Sequence, residues 1–195
     1  MKRLALLALA LTPFAAGCDP APSATCSGDT PRVEHRTADE ALANTATLRL
    51  TDLGTDWTPF RPDQPLGVLR PPLHDLVETG RSESAVFARQ GIAIRSSTTV
   101  FASTGDAAEA LRRADAKEFA ECLDAQLGGV ALARERTPDT LIYRLTVSRQ
   151  SEAGLDRVTV VFVQQHRALL VLEAVHGRGP RRELGRALLR LLTRL

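Results

Sequence analysis

The sequence predicts an α+β domain, an antiparallel sheet of about five to six strands with two main helices, one mid-chain and one C-terminal. Three observations carry this. Two apolar runs, Arg157 to Val163 and Ala168 to Val175, are joined by Gln164-Gln165-His166-Arg167 and read as a hairpin. Both runs are apolar on both faces, which places them at the sheet centre with helices or loops over them. Helical patterns run from Gly105 to Leu127 and from Pro180 to the last residue, so the order is strands, helix, strands, helix, with no internal repeat.

The chain opens with Met1-Lys2-Arg3, an apolar run from Leu4 to Leu11, and then Ala15-Ala16-Gly17-Cys18. A positive start, a short apolar stretch and small residues before a cleavage point make a secretory signal over residues 1–17. The stretch falls well short of the roughly 20 residues that span a bilayer. Ala-Ala-Gly-Cys looks like a lipobox, in which the Cys18 thiol receives a diacylglyceryl group and becomes the new amino terminus. Each buried methylene of such chains is worth about 0.8 kcal/mol, and several chains anchor stably. Asp19 resembles the signal that retains some lipoproteins in the inner membrane. The expected location is therefore the cell envelope, lipid-anchored on the extracytoplasmic face of a membrane.

Residues 18–37 are rich in Pro, Ser, Thr, Asp and Gly and read as a lipidated tether, leaving 38–195 as one domain. The formal net charge is +2. Removing the signal takes Lys2 and Arg3 with it, so the 25 Lys plus Arg fall to 23 and equal the 23 Asp plus Glu. A neutral mature domain argues against a nucleic-acid partner, which selects for a basic excess. With Cys18 lipidated, Cys26 and Cys122 remain in an oxidising compartment, where pairing is the usual outcome. Their disulfide closes a loop of about a hundred residues, worth up to ~4.7 kcal/mol in the chain-entropy model. The alternative is two unpaired cysteines, with Cys122 simply buried.

Within the domain, Ala41, Leu42, Leu48 and Leu50 fit a short helix followed by a strand. Thr51 to Trp57 is a turn-forming patch ending on the only Trp. Pro59, Pro62, Pro65, Pro71 and Pro72 then exclude an interior helix or central strand. Ser84 to Ala102 reads as two strands about a Gln90-Gly91 turn, with a slip in alternation near Ser96-Ser97 that suggests a bulge. The Gly105–Leu127 helix has Ser103 and Asp106 at capping-box spacing and puts Leu111, Phe119, Cys122 and Leu123 on one face, before Gly128-Gly129 ends it. Val130 to Arg134 is a short strand; in Leu141 to Val147, Leu141, Tyr143, Leu145 and Val147 alternate with Ile142, Arg144 and Thr146. On the last helix Leu184, Leu188, Leu191 and Leu195 form an apolar stripe, and Arg182, Arg186, Arg190 and Arg194 line another face.

Catalytic templates are missing: no G-x-S-x-G elbow, no S-x-x-K set, no H-E-x-x-H. His35, His74, His166 and His176 are scattered, and none stands beside another His or a Cys at ligand spacing. Neither a catalytic residue, a metal nor a cofactor is expected, and the domain is read as not an enzyme. Three features bear on binding. Arg178, Arg181 and Arg182 at a helix start suit an anion, although a solvated helix end paired with Glu183 is the favoured reading. The Arg row of the last helix suits anionic headgroups, with a plain polar face favoured. Trp57 beside the Pro-rich loop suits the mouth of a ligand groove, with a Trp that plugs the core favoured.

Four features recur together: the lipobox, the segment Leu48 to Trp57 (Leu-x-x-Thr-Asp-Leu-Gly-x-x-Trp), a strand ending Val100-Phe101-Ala102-Ser103, and Glu118-Phe119-Ala120-Glu121-Cys122. Together they resemble actinobacterial secreted lipoproteins related to the extracellular sensor domain of mycobacterial serine/threonine kinases. The resemblance implies an α+β, disulfide-bonded domain with a cleft for a ligand and no catalytic residues. Such domains typically hold two disulfides, whereas this chain has cysteines for one. The function expected is a membrane-anchored, non-catalytic module that binds a small or lipid-like ligand. The alternative is a protein-interaction or envelope-structural lipoprotein with an envelope protein as partner. A cavity large enough for a ligand separates the two.

Overall fold

The two apolar runs pair through a tight turn and become neighbours at the middle of the sheet. In the computed structural model, which describes residues 31–61, 69–89, 91–127, 129–147, 157–177 and 181–195, the elements follow in this order. They are β1 (Arg32–Val33), α1 (Thr37–Thr45), a 3₁₀ turn (Leu50–Asp52), β2 (Thr58–Phe60), β3 (Val77–Glu83), β4 (Val86–Arg89), β5 (Ile92–Phe101), α2 (Thr104–Ala114), α3 (Lys117–Leu127), β6 (Gly129–Arg136), β7 (Thr140–Val147), β8 (Arg157–Gln165), β9 (Ala168–His176) and α4 (Arg181–Leu192). The nine strands form one sheet in the order β1-β3-β5-β9-β8-β7-β6, with β4 paired to β5 and β2 to β4. Every pairing is antiparallel except β1 with β3. The class is therefore α+β as expected, with more strands and four helices rather than two.

Because side chains alternate across a strand, the sheet has two apolar faces, and each is covered. On one face Val158, Val160, Phe162, Leu169 and Val171 meet Leu111, Phe119 and Leu123 of α2 and α3. On the other, Val161, Val163, Leu170, Leu172, Ile92 and Ile94 meet Leu48, Trp57 and Leu191, with α4 above. This two-sided burial is why β8 and β9 read as continuous apolar runs. The β8–β9 turn holds His166 at φ 52, a left-handed position uncommon for a non-glycine residue.

Several sequence expectations are corrected. The strand expected after the first helix is absent; residues 50–52 form a 3₁₀ turn in which Asp52 accepts the Arg49 N–H at 2.8 Å. The tether's last described residues join the domain, since Arg32 and Val33 pair with Val77 and Glu78. Pro59 sits in a strand, but β2 pairs only with β4 and lies at the edge, where a missing N–H is tolerated. No bulge occurs at Ser96-Ser97, for β5 pairs with β9 without a break from Ile92 to Val100; the register shift lies on β3, between Glu78 and Gly80. Alternation slips near Ser96 because hydroxyls replace apolar groups there. Ser96 Oγ accepts the Leu48 N–H at 2.9 Å, and Thr98 Oγ1 donates to the Ala46 carbonyl at 3.2 Å.

The expected Gly105–Leu127 helix is two helices. Its start is as read, with Ser103 Oγ accepting the Asp106 N–H at 3.0 Å. The break falls after Ala114, where Asp115 N–H turns to the carbonyls of Leu111 and Arg112 at 3.1 Å. Tyr143, fully buried, donates its hydroxyl to the Ala114 carbonyl at 2.8 Å. Burial, with the Asp115 charge nearby, pushes the Tyr143 phenol up to about 12. Tyr143→Phe leaves that carbonyl unpaired in the core and is expected to cost about 1–2 kcal/mol, read as a lower urea midpoint at unchanged slope. An unchanged midpoint would remove the hydroxyl from the account of the break. Cys122 lies on α3, partly buried against the same core; Cys18 and Cys26 lie outside the described residues.

Candidate functional site

The last helix creates the site by covering only part of its sheet face. Ala187 and Leu191 of α4 are fully buried in the second core, with Leu184 and Leu188 packed at its margin. Beyond them β7 and β6 continue the sheet. Between their inner face and α4 lies a cleft of about 490 Å³. Ile142, Val161, Leu132, Leu184 and Leu188 give it apolar walls, and Gly185 leaves one wall without a side chain. A Cβ built on Gly185 meets no atom within 4 Å.

One end of the cleft is polar, with Arg144, Arg157, Thr159 and His176 in its lining. Arg144 is paired with Glu135. His176 is 9% exposed. Its Nδ1 lies 2.9 Å from the Gly177 carbonyl oxygen, which can only accept, so Nδ1 carries the proton. In the neutral ring Nε2 then accepts the Thr159 hydroxyl at 2.9 Å. The pair is fixed at the junction of β8 and β9, where Thr159 and His176 are set by strand register. An apolar trough with a few fixed polar groups at one end is the usual form of a small-molecule site.

A second, smaller recess of about 260 Å³ lies at another edge of α4, lined by Asp52, Leu53, Gly54, Trp57, Arg89, Arg186, Ala187 and Arg190. Trp57 is 4% exposed and packs in the second core. The Arg89 guanidinium carbon lies 5.5 Å from its ring centroid, within cation–π range. Burial disfavours the Asp52 charge, yet Arg194 and the Arg49 amide outweigh it and hold the carboxyl below its ordinary range. Arg194 Nη1 donates to Asp52 Oδ2 at 3.0 Å, its Nη2 donates to Oδ1, and Arg190 donates to the Asp52 carbonyl.

Trp57 thus plugs the core and also borders a recess, beside Arg186 and Arg190. Arg181 and Arg182 occupy the first turn of α4, and Arg178 lies outside the described residues. The main cleft was not read from the sequence. Its signal was the second set of alternating residues on β7, Ile142-x-Arg144-x-Thr146, which puts an apolar residue and a cation on the face opposite the first core. Among the described residues no group of His, Cys, Asp or Glu is placed to hold a metal ion, and no helix is long and apolar enough to cross a membrane.

No protein-family model matches the sequence, and no curated protein matches it. Among solved structures, the extracellular domain of PknH from Mycobacterium tuberculosis matches with a TM-score of 0.54 at 10% identity, over 82% of this chain and 97% of that one. At that identity the likeness is one of fold, and what this chain shares with the extracellular domain of PknH is its α+β architecture.

Proposed function

We propose that the chain is a lipid-anchored, extracytoplasmic and non-catalytic sensor-like module, and that the cleft under α4 binds a small apolar or amphipathic ligand. The cleft carries this reading: its 490 Å³ falls within the roughly 300–1,000 Å³ of known ligand pockets. Apolar walls supply the affinity and the polar end fixes orientation. The shared fold with an extracellular domain and the Ala15-Ala16-Gly17-Cys18 signal support the location. The same proposal pairs Cys26 with Cys122, which stands on the core side of α3.

The test is native mass spectrometry of the mature protein, extracted from its own membrane without reduction. A diacylglyceryl-modified chain is expected, two hydrogens lighter than its free-thiol form. It should carry extra mass that survives mild conditions and is lost on denaturation. Gly185→Phe puts a ring into the open side of the cleft and is expected to lose that mass while still folding. Gly185→Ala should keep it and stabilise the helix by about 0.5–1 kcal/mol. A bare lipidated wild-type chain overturns the ligand and turns attention to an envelope protein as partner.

A further inference from the structure

We infer that the ligand of the cleft under α4 is an uncharged amphiphile whose head donates a hydrogen bond, a hydroxyl above all, and that Thr159 reads it. The inference rests on the reading of that cleft as a ligand site and adds the chemistry of the head. The polar side chains of the lining are those of Arg144, Thr146, Arg157, Thr159 and His176. Of these only Thr159 and His176 are buried, at 7% and 9% exposed. Both nitrogens of His176 are committed, Nδ1 to the Gly177 carbonyl and Nε2 to the Thr159 hydroxyl. The Thr159 hydroxyl has thereby used its one proton and keeps only its capacity to accept. The buried polar group that the cleft offers a ligand is an acceptor.

Strand register puts that oxygen at the start of the apolar trough. Thr159 on β8 stands opposite Arg144 on β7, and the next row on the same face is Val161 opposite Ile142. A chain lying along the apolar walls therefore brings its head to Thr159. A hydroxyl there donates to Thr159 Oγ1 and can accept in turn from Arg144, whose guanidinium gives Nη1 to Glu135 and carries further N–H groups. An anionic head has no proton to give. For it to bind, the Thr159 hydroxyl must turn away from His176 and leave Nε2 unpaired in a buried place, at the full desolvation cost of that group. It would also share Arg144 with Glu135, whose carboxylate already balances that charge. Arg157 is exposed, so water and salt screen its pull on an anion. An ether oxygen, which only accepts, fails at Thr159 for the same reason.

The test uses dodecanol, dodecyl methyl ether and dodecanesulfonate, each carrying a diazirine at the far end of its chain. The full lipidated chain in phosphatidylcholine vesicles at pH 8 would be irradiated with each, and the labelled peptides mapped by mass spectrometry. Dodecanol should label the α4, β7 and β8 peptides saturably, and about tenfold more than either other probe at equal membrane loading. Thr159→Val keeps the shape and removes the acceptor. It should bring dodecanol labelling down to that of the ether and leave the ether unchanged, while Thr159→Ser keeps the preference. Circular dichroism reports whether Thr159→Val folds, and the comparison of the three heads on the wild-type chain does not depend on it. Equal labelling by dodecanol and its ether, or stronger labelling by dodecanesulfonate, overturns the inference and leaves the cleft a ligand site. A dodecanol preference that persists in folded Thr159→Val overturns it too, since another group then reads the head. Labelling of the cleft by none of the three overturns this inference and the cleft reading together.

Discussion

Gly80→Ala is expected to remove about 3 kcal/mol or more of stability, the cost of forcing an atom into a packed contact that cannot rearrange locally. Gly80 sits on β3 directly beneath α1. A Cβ there would stand 2.3 Å from the Asp39 carbonyl carbon, 2.5 Å from its oxygen and 2.6 Å from the Glu40 nitrogen. These are backbone atoms of a helix, so no side chain can swing aside and the whole helix must lift. Lifting α1 strains what it holds. Asp39 accepts from Arg167 at 2.8 and 3.1 Å, and Arg167 also donates to the Phe101 carbonyl at 2.9 Å. The Arg167 guanidinium holds the Asp39 carboxyl below its ordinary range despite burial, so parting the two costs more than the clash alone. Gly54→Ala is the comparison. Gly54 has φ +94 with open space around it, and the substitution meets only backbone strain, about 1 kcal/mol. Urea midpoints of the two variants decide it. A Gly80→Ala loss no larger than that of Gly54→Ala would mean that α1 does not lie on β3 in this way.

The same contact shows why β3 escaped the sequence reading. Val77-Glu78-Thr79-Gly80-Arg81-Ser82-Glu83 has neither an apolar alternation nor a β-branched run. It is a strand because β5 pairs with it and α1 needs a residue without a side chain to approach so closely. By contrast β8 and β9 were legible, since burial on both faces is written into their residues. The break between α2 and α3 was not legible: Ala114-Asp115-Ala116-Lys117 contains neither Gly nor Pro, and the buried Tyr143 hydroxyl that holds the freed carbonyl comes from a distant strand. The cleft was legible only in part. Leu184 and Leu188 read as core positions, which they partly are. That a trough opens beside them depends on how many strands α4 covers, a property of packing that no local pattern contains. Trp57 shows the same limit, because one residue serves the core and the rim of a recess.

Arg95→Met is expected to cost about 3–5 kcal/mol at neutral pH, the loss usual when one partner of a buried ion pair is removed. Arg95 and Glu173 are direct partners across β5 and β9. Arg95 Nε donates to Glu173 Oε2 at 3.0 Å and Nη2 to the same oxygen at 2.6 Å, with the two side chains 13% and 12% exposed. Burial is the largest influence on Glu173 and raises its carboxyl above the ordinary value, with Arg95 and the Leu69 backbone amide pulling the other way. A folded-state value above the unfolded one means that the folded chain binds the proton more tightly. Stability therefore falls as pH rises through that range and is regained on acidification toward the unfolded value of about 4.3. Without Arg95 the opposing pull is gone and the carboxyl rises further. The loss in Arg95→Met should thus be large at pH 8 and clearly smaller at pH 5, with a slope approaching about 1.4 kcal/mol per pH unit between the two states' values. Arg95→Met combined with Glu173→Leu removes both charges and should recover most of the stability at every pH. Denaturant midpoints at the two pH values measure all three chains. Equal losses at pH 5 and pH 8 would mean that Glu173 reaches water once Arg95 is gone, and that the strands, rather than the charge pair, set the cost.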